Sequence, residues 1–316
     1  MHTGTLIIGG GGYIGMHLVN SLLATGRRVT VMGRSKVPHY PLPTDVHYYS
    51  GNFGENGLIN DLLDKNQEVI HLAYATVPNT SFDNPLADLL QNLPPTVQLF
   101  SKVSERSGRL ILVSSGGTVY GQADQLPIPE NHPTNPIAPY GVTKLTLEKY
   151  AHLYAVTKGL QVICVRPGNA YGVGQHPYIG QGFVSTAMAS IINHKPVKIF
   201  GARGTIRDYV YVTDLAAGIV QVLEYGCLSE TYNIGSGVGR SNMDVVAAMS
   251  PLLGVTGSEI CVEHLPERVF DVHENVLDST KLSSHTGWTP KIEFQDGLLK
   301  TRDWLRDYFG SIGDRK

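Results

Sequence analysis

The sequence has few cysteines and little net charge. Cys164, Cys227 and Cys261 are scattered through 316 residues, and no two of them have C-x-x-C spacing. An odd, scattered set argues against a disulfide framework and against a zinc site, and it is typical of a reducing compartment. The formal net charge of -2 at pH 7 shows no basic surplus, so a nucleic-acid partner is not expected.

Long apolar runs are missing as well. No stretch approaches the roughly 20 apolar residues of a transmembrane helix, and the N-terminus has no basic segment followed by a long apolar one. The twelve histidines have no spacing typical of metal ligands. We therefore expect a cytoplasmic protein without a metal and without a membrane partner. With 42% apolar and 16% charged residues, the chain has an ordinary globular composition.

The stretch LIIGGGGYIGMHLV at residues 6–19 places four glycines between an apolar run and a helical pattern. Gly9, Gly12 and Gly15 have G-x-x-G-x-x-G spacing. Glycines in such a turn let the backbone approach a pyrophosphate, and the N-terminus of the following helix offers free N–H groups to phosphates. The sequence therefore predicts a dinucleotide cofactor, bound here by Gly9, Gly12, Tyr13, Ile14 and Gly15.

Short β-branched runs alternate with helical patterns through the first half of the chain. Predicted strands cover residues 5–8, 28–32, 46–49, 69–72, 109–113 and 161–165, and predicted helices cover 14–25, 57–63, 86–105 and 140–157. This order predicts an α/β fold with a Rossmann-type doubly wound parallel sheet over residues 1–167. Residues 168–316 are expected to form a smaller C-terminal substrate-binding lobe, with some segments returning to the first domain.

The stretch YGVTK at residues 140–144 carries an acid–base pattern. On a helix, Tyr140 and Lys144 share one face because they are four residues apart. A nearby cation favours the phenolate form of tyrosine, so Tyr140 becomes a candidate general acid–base. Lys144 can also donate a hydrogen bond to a ribose.

Several motifs together resemble the extended short-chain dehydrogenase/reductases that act on nucleotide sugars, the NAD-dependent epimerase/dehydratase group that includes UDP-hexose 4-epimerases. They are GGGGYIG (9–15), VIHLA (69–73), SSGGTVYG (114–121), PYGVTK (139–144), RPGNAYG (166–172), RDYVYVTDLA (207–216), YNIGSG (232–237) and TGWTP (286–290). The resemblance extends over nearly the whole chain. It implies a cytoplasmic enzyme with NAD or NADP as cofactor and a nucleotide sugar as substrate.

The resemblance also implies roles for matching residues. Tyr140 would exchange the proton of the sugar C4 hydroxyl, while the nicotinamide takes or returns hydride at C4. Lys144 would bind the nicotinamide ribose and lower the pKa of Tyr140. The remaining implied contacts are Leu72 and Ala73 with the cofactor, Asn169 with the nucleotide sugar, and Arg207 and Arg268 with its diphosphate, where forked guanidinium groups suit phosphate oxygens.

The catalytic loop departs from the family pattern at one position. The family has a catalytic Ser or Thr three residues before the Val of VYG, and this sequence has Gly116 there. Ser115 and Thr118 flank it, and Thr118 is the preferred replacement. A water molecule in place of the hydroxyl is an alternative, and simple packing of Thr118 against the sheet is another.

The end of the second strand also departs from the family pattern. NAD-preferring members carry an acid where Gly33 stands, and Arg34 can pair with a 2′-phosphate, so charge alone favours NADP. Stacking of Arg34 on adenine would still be compatible with NAD. Asn52, with Phe53 beside it, occupies the position near the adenine amine and can accept through its carbonyl.

Counting from Arg268 places Asn275 at the family's gate to the hexose pocket. An asparagine there would leave room for a 2-acetamido group, so both UDP-hexoses and UDP-N-acetylhexosamines are candidate substrates. The leading prediction is a nucleotide-sugar C4 epimerase that works through a 4-keto intermediate. An NADPH-dependent 4-keto-6-deoxy nucleotide-sugar reductase is the alternative, and a non-catalytic nucleotide-sugar or NADP(H) sensor is a remote one.

A dehydratase is disfavoured, because its acid pair would fall at Gly117 and Thr118, which have no carboxylate. A homodimer is expected, because family members often pair through two helices that include the one bearing Tyr140. The apolar residues Leu145, Leu147 and Leu153 permit this pairing.

Overall fold

Thirteen strands and eleven helices are found in the computed structural model, which describes residues 3–106 and 108–313. The strands are β1 (Gly4–Ile8), β2 (Arg28–Gly33), β3 (His47–Ser50), β4 (Glu68–His71), β5 (Arg109–Val113), β6 (Gln161–Pro167), β7 (Asn169–Tyr171), β8 (Val197–Phe200), β9 (Ile206–Tyr211), β10 (Thr231–Ile234), β11 (Gly239–Ser241), β12 (Val262–Leu265) and β13 (Glu274–Asn275). The helices are α1 (Tyr13–Leu23), α2 (Asn56–Lys65), α3 (Pro78–Asp83), α4 (Pro85–Ser104), α5 (Gly116–Val119), α6 (Pro139–Lys158), α7 (Phe183–Ile192), α8 (Val212–Tyr225), α9 (Asn242–Leu253), α10 (Thr280–Thr286) and α11 (Phe294–Gly313).

The larger sheet is parallel and has the strand order β10-β6-β5-β4-β1-β2-β3. Every residue of β1 and of β4 is buried, because helices cover both faces of the sheet. Successive side chains point to opposite faces, so Ile7 packs with α1 and α8 while Leu6 and Ile8 pack with α2, α4 and α6. The predicted α/β class with a Rossmann-type sheet is confirmed.

The predicted helices and strands of the first half differ from the observed ones by a few residues at their ends. Helix α1 buries Gly15, Leu18, Val19 and Leu22 at helical spacing, which is the pattern that predicted it. Helix α4 continues through Pro94 and Pro95. Among the described residues, no helix is long and apolar enough to cross a bilayer.

The second half contributes to both parts of the molecule. Strand β10 pairs with β6, and α8 packs against α1, so these two elements lie with the large sheet although they follow residue 167. The other strands of the second half form two small sheets, β11-β9-β13 with β7 alongside β9, and β12-β8. A separate apolar cluster around Met188, Met249 and Leu305 packs α7, α9 and α11 together.

A buried carboxylate fastens the C-terminal segment to α8. The Oδ2 atom of Asp214 accepts hydrogen bonds from the backbone N–H groups of Lys291 (3.0 Å) and Ile292 (2.8 Å). The backbone carbonyl of Asp214 accepts one from Trp288 Nε1 at 3.1 Å. Trp288 is buried.

Replacing Asp214 by alanine is expected to lower the free energy of unfolding by roughly 1–3 kcal/mol, because two partly buried N–H groups lose their acceptor. Chemical denaturation followed by circular dichroism measures this. The exposed Asp61→Ala on α2 is the control and should change stability by no more than about 0.5 kcal/mol. Equal effects of the two variants would contradict the assignment.

Candidate active site

One cleft of about 1380 Å³ runs along the carboxyl ends of β1, β2, β4, β5 and β6. This is the edge at which doubly wound sheets bind ligands. It is lined by all but one of the site residues that the sequence predicts: Gly9, Gly12, Tyr13, Ile14, Gly15, Arg34, Asn52, Phe53, Leu72, Ala73, Ser115, Thr118, Tyr140, Lys144, Asn169, Arg207 and Arg268. Asn275 is the exception.

The glycines of the first turn meet different requirements. Gly9 has a φ of 88°, and a Cβ atom there would lie 2.6 Å from the backbone nitrogen of Ala73. A Cβ atom on Gly15 would overlap the Gly10 carbonyl, so this glycine lets α1 pack on the turn. A Cβ atom on Gly12 would meet its nearest neighbour, the Gly9 carbonyl oxygen, at 3.5 Å. Packing therefore explains Gly9 and Gly15, whereas Gly12 leaves bare backbone on the cleft wall.

The N-terminus of α1 opens into this part of the cleft. Its N-cap is Gly12, and no side chain caps the first turn. Free N–H groups and the positive end of the helix dipole favour a bound anion there. The geometry fits the pyrophosphate of a dinucleotide.

The end of β2 explains why position 33 carries no side chain. A Cβ atom on Gly33 would lie 2.7 Å from the hydroxyl of Tyr48, which itself donates to the Ser35 carbonyl at 2.8 Å. Tyr48 therefore occupies the space in which the expected acid would lie. Arg34 is exposed at the cleft, and Tyr48 limits the room for a side chain at position 33.

Asn52 and Phe53 lie farther along the same wall. The carbonyl oxygen of Asn52 accepts a hydrogen bond from Gly54 N–H at 3.1 Å. The ring of Phe53 meets His71 edge-on, with 4.9 Å between the centroids. His71 is buried and bonds through Nε2 to Thr96 Oγ1 at 3.0 Å.

Tyr140 and Lys144 lie in the first two turns of α6, beneath the centre of the cleft. The Nζ atom of Lys144 donates to the Val113 carbonyl at the end of β5, at 2.8 Å. Burial lowers the pKa of Lys144 to about 7, and the negative charges of Glu148 and Asp88 oppose that shift. The ionisation of Lys144 therefore falls in the neutral range.

The hydroxyl that reaches Tyr140 belongs to Ser115. Burial raises the pKa of the Tyr140 phenol, Asp88 acts in the same direction, and a hydrogen bond with the Ser115 side chain lowers it. We expected Lys144 to lower the pKa of Tyr140, but in this structure Lys144 does not contribute to the shift. Thr118 Oγ1 is buried and has no hydrogen-bond partner among the described residues, so the preference for Thr118 over Ser115 is not supported by the arrangement.

The absence of a side chain at position 116 has a steric cause. A Cβ atom there would lie 2.6 Å from Leu277 Cδ1 and 2.8 Å from the Arg166 carbonyl oxygen. Asn275 lies in the same region, 1% exposed, and donates from Nδ2 to the Gly116 carbonyl at 3.0 Å. Asn275 thus supports the catalytic loop from behind and is not on the cleft wall, which differs from the expected role as a gate to the hexose pocket.

Two arginines face the other end of the cleft, where the smaller lobe contributes its wall. Arg268 donates to Asp271 at 2.8 Å and to Asn79 at 3.2 Å. Burial is the main cause that lowers the pKa of Arg207, and the charge of Arg268 acts in the same direction. The two guanidinium groups are thus near enough to repel each other, and Arg268 is also ion-paired with Asp271. Asn169 lies between this end and the catalytic loop, with its Oδ1 3.4 Å from a Cβ atom built on Gly117.

Two residues beside the Tyr140–Lys144 couple were not predicted from the sequence. Tyr74 lines the cleft directly after VIHLA, and its ring meets the Tyr140 ring edge-on at 4.8 Å. Asp88 is fully buried on α4. Its spacing from Asn92 and Thr96, one polar residue per turn on the buried face of α4, is the signal that could have identified it.

Comparison with known proteins agrees with this geometry. The model of the NAD dependent epimerase/dehydratase family matches residues 5–235. A UDP-glucose 4-epimerase of Halalkalibacterium halodurans is 32% identical over 322 residues, which cover 96% of each chain. The structure of the Thermotoga maritima UDP-glucose 4-epimerase with UDP-glucose superposes with a TM-score of 0.91 at 28% identity, over 97% of this chain and 100% of the other.

A second solved structure, the Thermus thermophilus UDP-glucose 4-epimerase in complex with NAD, has a TM-score of 0.87 at 29% identity and covers 96% of this chain and 99% of the other. The resemblance that the motifs indicated is confirmed. The chain belongs to the NAD-dependent epimerase/dehydratase family of enzymes.

Proposed function

We propose that this enzyme inverts the configuration at C4 of a nucleotide-activated hexose, with UDP-hexoses as the first candidates. The observation that carries the proposal is the shared cleft, in which the Ser115–Tyr140–Lys144 group lies between a bare glycine turn and the Arg207–Arg268 pair. The UDP-glucose 4-epimerases among the relatives support the same reaction.

The side chains divide the work at C4. When bound, NAD would supply the hydride acceptor, and the residues of the glycine turn together with Lys144 would hold it. The Tyr140 oxygen takes the proton of the C4 hydroxyl as the C4 hydrogen leaves with its electron pair, so the sugar becomes a 4-ketone. The inversion would be complete once hydride has returned to the opposite face of C4 and Tyr140 has returned the proton to the C4 oxygen. Ser115 would hydrogen-bond to the reacting phenol, and Lys144 would hold the nicotinamide ribose.

Arg207 and Arg268 retain the substrate between the two half-reactions. A 4-keto sugar must rotate to present its other face, and the diphosphate must stay bound while it does. Two guanidinium groups can grip phosphate oxygens with paired hydrogen bonds. This division leaves the sugar free to turn while the nucleotide remains in place.

The alternatives have weaker support. A dehydratase needs a carboxyl group after the catalytic hydroxyl, and Gly117 and Thr118 supply none. The argument for an NADPH-dependent reductase rested on Gly33 and Arg34. A Cβ atom on Gly33 would meet Tyr48, Arg34 can stack on adenine instead of pairing with a 2′-phosphate, and the Thermus thermophilus relative was solved with NAD. NAD is therefore the cofactor that we propose. A pure sensor would not need the buried acid–base couple.

The first test identifies the cofactor and the reaction. We expect the denatured protein to release near-stoichiometric NAD, and we expect UDP-glucose and UDP-galactose to interconvert without added cofactor, as followed by proton NMR. UDP-N-acetylglucosamine and UDP-N-acetylgalactosamine should be assayed in the same way. Asn275, which first suggested these larger sugars, does not line the cleft. Dependence on added NADPH, with net reduction of a 4-keto-6-deoxy sugar, would instead establish the reductase.

Tyr140→Phe is expected to lower kcat by roughly 10²–10⁴-fold with little change in KM, because the proton acceptor is lost. The matched control is Tyr225→Phe on α8, whose side chain is exposed away from the cleft. Steady-state kinetics on UDP-galactose measure both. Full activity of Tyr140→Phe would remove this residue from the mechanism.

The choice between the two loop hydroxyls has its own test. Ser115→Ala is expected to lower kcat by roughly 10-fold or more, because it removes the hydrogen bond to Tyr140. Thr118→Val should have a smaller effect on kcat, since Thr118 Oγ1 has no hydrogen-bond partner among the described residues. A larger loss in Thr118→Val would reverse the assignment.

We infer that two copies of the chain pair through α4 and α6. Helix α4 exposes Leu86, Leu89 and Leu90, and α6 exposes Val142, Leu153 and Val156. Exposed apolar residues on two adjacent helices are typical of an interface. Of the positions that first suggested pairing, Leu147 is buried in the core and Leu145 packs on a smaller cluster, so Leu153 alone of the three is exposed.

Sedimentation velocity should show a dimer for the wild type and a monomer for Leu153→Glu/Val156→Glu, because two charges would be desolvated at the interface. Leu228→Glu, at an exposed leucine elsewhere, should leave the dimer intact. A monomeric wild type would contradict the inference.

A further inference from the structure

A buried polar network lies beneath the Tyr140–Lys144 couple and takes no part in the chemistry at C4. Its centre is Asp88, which is 0% exposed on α4. Thr143 Oγ1 of α6 donates to one carboxylate oxygen at 2.6 Å, and Thr76 Oγ1, in the segment after β4, donates to the other. An ionised carboxylate accepts at both oxygens in this way.

The hydrogen bonds of Asp88 connect three segments that form the centre of the site. Thr143 directly precedes Lys144 and lies one helical turn after Tyr140, so the bond to Asp88 holds the part of α6 that carries the couple. The bond from Thr76 holds the segment that follows β4. Asn92, one turn along α4, accepts from the Ala75 N–H at 2.8 Å and holds the same segment.

Tyr74, in the same segment, contacts both members of the couple. The Nζ atom of Lys144 lies 4.1 Å from the centroid of the Tyr74 ring, and the Tyr140 ring meets it edge-on at 4.8 Å. Burial raises the pKa of Tyr74, and Asp88 is the next largest cause. The carboxylate and the couple are therefore linked both by hydrogen bonds and by charge.

Asp88 differs from the other titratable groups around Lys144, which are either ion-paired or neutral. Glu148, one turn farther along α6, is paired with Arg166 of β6 at 2.6 Å. His71 of β4 is kept neutral, because burial and then the charge of Lys144 lower its pKa to about 3. Asp88, by contrast, accepts from two neutral hydroxyls. Among the described residues, no cation forms an ion pair with this carboxylate. Its charge acts on Tyr140 and, after the larger effect of Glu148, on Lys144.

We propose that Asp88 is a positioning residue for the proposed epimerase reaction: it fastens the Tyr140–Lys144 turn of α6 to the segment after β4 through Thr143 and Thr76, and its negative charge favours the ammonium form of the buried Lys144. The inference rests on the proposed function. Loss of the charge should move the ionisation of both members of the couple in one direction, which loss of packing alone would not do.

The test is the pH dependence of Asp88→Asn, which keeps the shape and removes the charge. Asp88 raises the pKa of Lys144 and of Tyr140. Without it, Tyr140 deprotonates at lower pH and Lys144 also loses its proton at lower pH. Both limbs of the kcat profile should therefore shift towards acid by roughly one pH unit. At the wild-type optimum, kcat should fall several-fold more than KM changes.

Two control variants separate charge from structure. Thr143→Val keeps the carboxylate and removes one hydrogen bond, so it should lower kcat without the acid shift. Glu68→Gln removes another buried carboxylate, which begins β4 far from the couple and pairs with Arg27, and its pH profile should match the wild type. Asp88→Ser is a second neutral variant in case Asp88→Asn does not fold, and the same shift is expected.

A second readout is independent of epimerase turnover. The affinity for NAD, measured by calorimetry across the neutral range, should change with the ionisation of Lys144, and its midpoint should move to lower pH in Asp88→Asn. An unmoved midpoint, or an unmoved kcat profile in an active enzyme, would overturn the role of Asp88. A wild type that binds NAD but inverts no nucleotide sugar would refute the proposed function, and the calorimetric midpoint would still decide the role of Asp88.

Discussion

The burial of the parallel sheet on both faces is the constraint on which the rest of the structure depends. Helices α1 and α8 cover one face of the sheet, and α2, α4 and α6 cover the other. A ligand can therefore reach the sheet at the ends of its strands and not at its faces. The close approach of Gly9 to Ala73 follows from this, since the turns after β1 and β4 meet at that edge. The bare backbone at Gly12 and the uncapped start of α1 then form the place where a pyrophosphate fits.

Burial also governs the chemistry of the catalytic couple. A lysine and a tyrosine taken out of water both favour their neutral forms, and the raised pKa of Tyr140 and the lowered pKa of Lys144 show this. The surrounding residues oppose that tendency in specific ways. The Val113 carbonyl accepts from the ammonium group, Ser115 stabilises the phenolate, and the carboxylate of Asp88 favours the charged lysine.

The substrate end of the cleft depends on contacts between the two parts of the molecule. Arg268 comes from the segment before β13, yet it bonds to Asn79 of α3, and Phe270 packs on Phe82 with 4.5 Å between the centroids. The same segment continues into Asn275, which supports Gly116. One stretch of chain therefore places Arg268 on the cleft wall and also supports the loop that carries Ser115.

The sequence by itself determined the fold class, the glycine turn, the position of Tyr140 and Lys144 on one helix, and 17 of the residues that line the cleft. Those features follow from local periodicity and short motifs, which act within a few residues of each other. Strand β10, with the partly polar sequence TYNI, has no such pattern and joins the sheet through its pairing with β6.

Tertiary structure decided which loop hydroxyl acts on Tyr140, which is Ser115 rather than Thr118. It also decided that Leu277 excludes a side chain at Gly116 and that Asn275 turns away from the cleft. It also brought Asp88 beneath Lys144, from a helix more than fifty residues earlier in the sequence. Such contacts depend on how distant segments pack, and side-chain direction at a packed junction cannot be read from the neighbours along the chain.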